Sequence, residues 1–327
     1  MKVVVTGGAG FIGSNLVEAL LKKYKKINIV VLDNCSTGRK ENLKNFINKI
    51  KFIKCDLSKK GSWIKNLKNA KWVFHLAALA DIVPSIEEPI KYFDSNVKGT
   101  LNILEGCKKY KIKKIIYSAS SSCYGIPDSY PTNEKSKIKP EYPYALTKNL
   151  GEQLIIHWSK IYGIKFVSLR FFNVYGLRSR TSGTYGAVFG VFLAQKNAGK
   201  PFTVVGDGTQ TRDFTYVSDA VSALIAAANS NISNEIFNIG SGRTRSINEL
   251  VKILEGKVIY LPKRPGEPMS TWADIKKAKK LLKWKPLVSL EEGVKILICN
   301  LDYWKKAPVW DKKKIYNATK AWFRYLK

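Results

Sequence analysis

A chain of 327 residues with 45% hydrophobic composition can bury a substantial core, in one large domain or two closely joined ones, and this excludes a disordered chain. Five scattered cysteines (Cys35, Cys55, Cys107, Cys123 and Cys299) form no CxxC pair, and with only two histidines neither a disulfide framework nor a metal site is indicated. The formal net charge of +31 raises a nucleic-acid partner, but the lysines run along the whole chain in pairs and triplets such as Lys22-Lys23, Lys276-Lys277 and Lys312 to Lys314, with no DNA- or RNA-reading motif. A lysine-rich solvated surface is therefore the preferred reading, and its field attracts an anionic substrate.

The amino end, MKVVVTGG, reads as a strand entering a glycine turn and lacks the apolar segment and cleavage site of a secretory leader. The apolar runs, such as Ala187 to Ala194, fall far short of the ~20 residues of a membrane helix. A cytoplasmic protein without a membrane partner is expected. From there on, short Val- and Ile-rich runs alternate with stretches of helical period: Lys2 to Thr6, Asn28 to Leu32, Lys51 to Cys55, Lys71 to His75, Lys114 to Ser118, Lys165 to Arg170 and, late, Glu235 to Ile239. Continuous apolar strands separated by helices predict an α/β fold with a doubly wound parallel sheet, its strands covered on both faces. Gly-, Pro- and Arg-containing loops with scattered helices fill the stretch after Phe171 and the stretch after Gly240. The expected organisation is a dinucleotide-binding part, 1–171 with 213–240, and a smaller substrate lobe, 172–212 with 241–327.

In TGGAGFIG, Gly7, Gly10 and Gly13 follow the first run and open a helix with apolar residues at Phe11, Ile12, Leu16, Ala19 and Leu20. Glycines there let a turn tighten and the backbone approach a pyrophosphate seated on the helix N-terminus. Such a turn alone also occurs without a ligand. Asp33, 20 residues after Gly13 at the end of the second strand, adds a carboxylate that can bind ribose hydroxyls and repel a 2′-phosphate. NAD is favoured over NADP, with Arg39 and Lys40 keeping the second reading open. Asp56-Leu57, past the third strand, either borders the adenine ring or is an ordinary loop.

Tyr144 and Lys148 form a YxxxK pair on one face of a helix, where an ammonium beside a phenol is expected to lower its pKa so that it can take a hydroxyl proton. Tyr110/Lys114 and Tyr316/Lys320 have the same spacing. Only Tyr144 is followed by an apolar helical segment (Leu150, Leu154, Ile155, Trp158) and preceded by serines at a strand end (Ser118, Ser120, Ser121, Ser122), which can hydrogen-bond a substrate hydroxyl and relay its proton.

TGGAGFIG, Asp33, HLAA (75–78), SNVKGT (95–100), SASSSCYG (118–125), YALTK (144–148), RFFNVYG (170–176), VVGDGTQTRDFTYVSD (204–219) and RPGE (264–267) resemble, in order and spacing, the extended short-chain dehydrogenase/reductase family, in its nucleotide-sugar 4-epimerase branch. The resemblance implies a Rossmann-type fold and an NAD site formed by Gly7, Gly10, Phe11, Ile12, Gly13, Asp33, Asn34, Asp56 and Leu57. It continues through Leu76, Ala77, Ala78, Asn96, Ser118 and Phe171, with Tyr144 and Lys148 shared with catalysis. Ser120 would be the catalytic serine, Tyr144 the base and Lys148 the residue that binds ribose and tunes Tyr144. Substrate would meet Ser120, Ser121, Ser122, Asn173, Ala187, Val188, Arg212, Arg264, Glu267 and Thr271, with the two arginines on its phosphates. The implied assembly is a homodimer through helices around 89–109 and 143–162.

The related 4,6-dehydratases carry an Asp-Glu pair immediately after the residue matching Ser120. Here Ser121 and Ser122 stand there, which favours hydride removal and return over loss of water. Restriction to glucose and galactose is associated with a tyrosine where this chain has Thr271, so an N-acetyl sugar is expected to fit. Phe171 in place of a common tyrosine and Gly190 in place of a frequent proline leave the nucleotide base open, with UDP favoured. The alternatives are another NAD-dependent change to a nucleotide sugar (dehydration, decarboxylation or reduction) or a non-catalytic NAD-binding protein with a basic surface. The aromatic tail (Tyr303, Trp304, Trp310, Trp322, Phe323, Tyr325) reads either as a terminal packing helix or as a cover for the substrate mouth or a partner.

Overall fold

In the computed structural model, which describes residues 1–180 and 188–326, the β-branched runs form a seven-stranded parallel sheet. Its strands are β1 (Lys2–Thr6), β2 (Asn28–Asp33), β3 (Ile50–Lys54), β4 (Trp72–His75), β5 (Lys114–Ser120), β6 (Phe166–Phe171) and β7 (Glu235–Ile239). Their order across the sheet is β7-β6-β5-β4-β1-β2-β3, all neighbours parallel. β1 pairs on one side with β2 (Val3 opposite Ile29) and on the other with β4 (Val3 opposite Trp72). Strand order reverses between β1 and β4, and the crevice beyond their carboxyl ends is where such sheets take ligands.

Alternation along β1 sends Val3 and Val5 into one apolar cluster and Val4 into another. The first cluster joins helix α1 (Phe11–Lys23) through Leu16 and Leu20 to the helix Val217–Asn229 through Ala220 and Leu224. The second joins α2 (Gly99–Lys109) through Ile103 and Leu104 to α3 (Pro143–Tyr162) through Ile155. Both sheet faces are thus covered, as runs such as IVVL require.

Three two-stranded pairs stand outside this sheet: Val174–Tyr175 with Thr215–Tyr216, Thr211–Arg212 with Arg245–Ser246, and Phe202–Val205 with Val258–Leu261. They bring the segments after β6 and after β7 together beside the crevice. Among the described residues no helix is long and apolar enough to cross a membrane, and no cluster of His, Cys, Asp and Glu suits a metal ion.

Candidate active site

A cavity of about 700 Å³ runs from the glycine turn, past β4 and β5, to the outer strand pairs. Gly7 has φ of +67°, donates its N–H to Leu32 O (2.9 Å) and accepts from Gly10 N (3.1 Å) through its carbonyl. A Cβ on Gly7 would lie 2.7 Å from Ala77 N, and one on Gly13 would lie 2.1 Å from Gly7 O, so only hydrogen lets the turn sit this close to its neighbours. α1 begins at Gly10 with no side-chain cap and no acidic residue in its first turn, leaving amide N–H groups and the positive dipole end for an anion. Asp33, buried beside the turn, accepts from Ala9 N (2.9 Å) and Cys35 N (2.7 Å); burial nevertheless pushes its carboxyl up.

Arg39 lies over the Tyr303 ring, 5.1 Å from its centroid, and bonds its hydroxyl; Lys40 lies over Phe52. Asn34 lines the cavity and accepts from Ser36 N. Asp56 accepts from Ser58 N (2.9 Å) and Ser58 Oγ (2.8 Å) while it and Leu57 line the cavity, so both sequence readings of this loop describe part of what it does.

The wall after β4, Leu76 to Ala78, is held by the Thr6 hydroxyl, which accepts from Leu76 N and Ala77 N (both 3.1 Å). Those two bonds leave the Thr6 O–H to donate to His75 Nδ1 (2.7 Å), so Nε2–H donates to Thr100 Oγ1 (2.9 Å) and Thr100 donates to Asn96 O (2.6 Å). Burial pushes this imidazole down to about 3, keeping it neutral. Asn96, expected at the cofactor, is the one described site residue that the cavity leaves out. Its amide oxygen accepts from Leu79 N (2.8 Å), and its nitrogen donates to Leu79 O (3.0 Å) and Thr147 Oγ1 (3.0 Å). A buried amide with these partners supports the wall behind the site rather than facing into it.

At the end of β5, Ser120 Oγ donates to Ser122 Oγ (2.9 Å) and accepts from Ser122 N (3.2 Å). Pro143 starts α3, with its fixed φ and missing N–H suited to a first turn, and Tyr144 follows, lining the cavity together with Ser120 and Ser122. Tyr142 stacks on Tyr144 (centroids 6.3 Å, 10° between planes). One turn on, Lys148 is only 5% exposed, its Nζ 4.3 Å from the Tyr117 ring centroid. Burial drives this ammonium down to about 7, opposed by the Glu152 carboxylate a further turn along. Glu152 is itself held by Arg170 (Nη2 to Oε2, 2.5 Å) and Ser168 Oγ (2.6 Å). The Tyr144 phenol is pushed up by burial, which outweighs the lowering effect of Ser120 and Ser122. This differs from the lowered phenol expected of a neighbouring ammonium: desolvation of both groups is the larger effect in the protein alone. The rival pairs are not in this cavity; Tyr110 ends α2 and Tyr316 is exposed.

Across the cavity, Asn173, with φ of +25°, accepts from Thr271 Oγ1 (2.7 Å). Arg212 Nη2 donates to Glu267 Oε1 (2.8 Å) and Arg264 Nη1 lies 3.8 Å from Glu267 Oε2, so one carboxylate joins both guanidinium groups. Ser118, Ser121, Phe171 and Val188 also line the cavity; Ala187 lies outside the described residues. Sequence reasoning missed the Asp81–Arg180 ion pair, Tyr142 and Arg178 on the wall. Tyr142 could have been found from its place two residues before Tyr144, whereas Asp81 and Arg180 are brought together only by folding.

A seven-stranded doubly wound sheet with a glycine turn at its switch point and a serine, tyrosine and lysine at one cavity defines a dinucleotide-dependent enzyme class that works on a hydroxyl-bearing ligand. The family model described as NAD dependent epimerase/dehydratase matches residues 3–240, and the chain belongs to that family. It is 40% identical over 304 residues to a putative UDP-glucose 4-epimerase of Methanocaldococcus jannaschii, covering 90% of this chain and 97% of the relative. It is also similar to the UDP-N-acetylglucosamine 4-epimerase of Methanobrevibacter ruminantium M1 solved with UDP-N-acetylmuramic acid (TM-score 0.85, 36% identity, 91% of this chain and 98% of that one). A third match is the UDP-glucuronic acid 4-epimerase of Bacillus cereus solved with UDP-glucuronic acid and NAD (TM-score 0.85, 36% identity, 94% and 99%). The cofactor of this family is NAD, and the hydrogen-only contacts of Gly7 and Gly13, the open α1 terminus and the Asp33 carboxylate fit it.

Proposed function

We propose that this protein is a nucleotide-sugar 4-epimerase that inverts C4 of a UDP-hexose, UDP-N-acetylglucosamine or UDP-glucose. The observation that carries this reading is Tyr144 lining one cavity with Ser120, Ser122 and the buried Lys148, with serines rather than an acid and base following Ser120. Residues 1–171 with 213–240 hold the cofactor, and 172–212 with 241–327 hold the sugar nucleotide. Bound there, NAD would supply the acceptor and donor of the C4 hydride, and its nicotinamide charge would favour the phenolate.

Ser120 holds the C4 hydroxyl against Tyr144, whose phenolate oxygen takes the hydroxyl proton and later gives it back. Lys148, next to the reacting phenol, supplies positive charge that limits the cost of the phenolate. Arg212 and Arg264 bind the diphosphate, and Glu267 holds the two guanidinium groups near each other until it arrives. Asn173, tied to Thr271, supports the sugar end, and a threonine there leaves room for an N-acetyl group. The exposed apolar side chains Ile90, Phe93, Leu146, Ile161 and Tyr162 support a homodimer through the helices that carry them.

The test is C4 inversion followed by NMR with UDP-N-acetylglucosamine, UDP-glucose and UDP-glucuronic acid in separate incubations, with Tyr144→Phe as control. Inversion by the wild type and its loss in the control support the reading. A wild type inert toward all three overturns it.

A further inference from the structure

The chain's last described helix, Lys320–Tyr325, has six residues, too few to hold its shape without an anchor. That anchor is Trp322, 4% exposed, whose Nε1 donates to Pro265 O (2.7 Å) and whose ring lies 5.4 Å from the Arg264 guanidinium carbon. The indole also meets Tyr142 (centroids 6.4 Å), which in turn stacks on Tyr144. A row of four side chains therefore runs from the reacting phenol to a phosphate-clamp arginine: Tyr144, Tyr142, Trp322, Arg264. Trp310, upstream in the same segment, lines the cavity and is fixed through its carbonyl, which accepts from Gln195 Nε2 (2.7 Å).

We infer that the carboxy-terminal segment 307–326 is a wall of the substrate site, and that Trp322 is a positioning residue that holds Arg264 and Tyr142 for the diphosphate of the nucleotide. This rests on the nucleotide-sugar reading above. An arginine over an indole face keeps its fork in one plane, and the indole bond to Pro265 fixes the loop that carries Arg264. Without the indole, the guanidinium loses its face contact and is held less closely, its Glu267 ion pair spanning 3.8 Å, so nucleotide binding must order it further.

The test measures UDP binding by calorimetry, the NAD content of the purified protein, and the KM and kcat of the sugar the wild type turns over, for wild type, Trp322→Ala and Trp322→Phe. Trp322→Ala is expected to weaken UDP about tenfold, with most of the loss in turnover falling on KM, while NAD content is unchanged. Trp322→Phe keeps a ring face for Arg264 and recovers at least a third of the affinity. UDP affinity in Trp322→Ala equal to that of a wild type that binds UDP overturns the role of Trp322 alone. Loss of NAD together with UDP in Trp322→Ala also overturns it, by showing a general loss of structure. Wild type that does not bind UDP overturns both this inference and the UDP-sugar reading.

Discussion

Gly13→Ala separates the glycine turn's steric role from its conformational one. The added Cβ would lie 2.1 Å from Gly7 O and 2.8 Å from Gly8 Cα, where ordinary contact begins at 3.4 Å, so α1 and the turn must part by about 1.3 Å. Forcing that gap costs about 1–3 kcal/mol of stability, the usual range for overpacking. The same displacement carries the first-turn N–H groups away from the pyrophosphate. Losing one or two such charge-assisted hydrogen bonds, at about 1.5–3 kcal/mol each, weakens NAD by about 10-fold at the least and by more than about 100-fold where two are lost. Gly163→Ala is the control. Gly163 has φ of +69° with nothing within 4 Å, so alanine there pays only for the left-handed backbone, about 1–2 kcal/mol, far from the turn. Calorimetric NAD titration of the cofactor-free proteins, with thermal unfolding alongside, gives both numbers. NAD affinity in Gly13→Ala within threefold of wild type would refute the reasoning, because the turn would then have room that the distances deny it.

Three further perturbations test the site and its support. Thr271→Tyr is expected to reduce turnover of UDP-N-acetylglucosamine at least tenfold more than that of UDP-glucose, read from initial rates, with Thr271→Val as a control for the lost bond to Asn173. Glu152→Ala leaves the buried Arg170 guanidinium without its carboxylate and should lower unfolding free energy by about 3–5 kcal/mol in denaturant titration, a loss that Glu152→Ala with Arg170→Met partly recovers. His75 has a folded pKa of about 3 against 6.5 for the free side chain, so unfolding takes up a proton below pH 6.5 and stability falls as pH drops toward 3, by about 1.4 kcal/mol per unit. Between pH 7 and pH 5 the wild type should therefore lose about 2 kcal/mol more than His75→Gln, and equal losses would show that the imidazole is not held neutral.

Strand identity was legible because a strand buried on both faces must be apolar throughout: all seven expected runs are strands, and their parallel pairing follows from the helices between them. Ends were less legible. β5 continues to Ser120 because Ser118, Ala119 and Ser120 pair with Leu169, Arg170 and Phe171 of a strand about fifty residues later, a partner that local sequence does not reveal. Most of the motifs that line the cavity follow a strand end, as TGGAGFIG follows β1, HLAA β4 and SASSSCYG β5. Side-chain direction was another matter: SNVKGT marks the right helix, but only the Leu79 and Thr147 contacts show Asn96 turned into the wall. Partners far apart in the chain were illegible for the same reason. Glu267 meets Arg212 across 55 residues, and Arg180 meets Asp81 across 99.

The three tyrosine–lysine pairs show why spacing alone cannot identify a base. Tyr316 sits 62% exposed on a helix surface, where a lysine four residues on adds little beyond solvent-screened charge. Tyr144 and Lys148 have the same spacing but pack against the end of β5, where removal of water pushes the phenol up and the ammonium down. Both shifts favour the uncharged pair in the protein alone, and the Glu152 carboxylate, bound to Arg170, opposes the shift of Lys148. In the reading proposed above, Lys148 and the nicotinamide charge together favour the phenolate. The burial of this pair is a property of the sheet edge and of the serines that end β5, and it is their position before the helix, more than the tyrosine and lysine themselves, that singles it out.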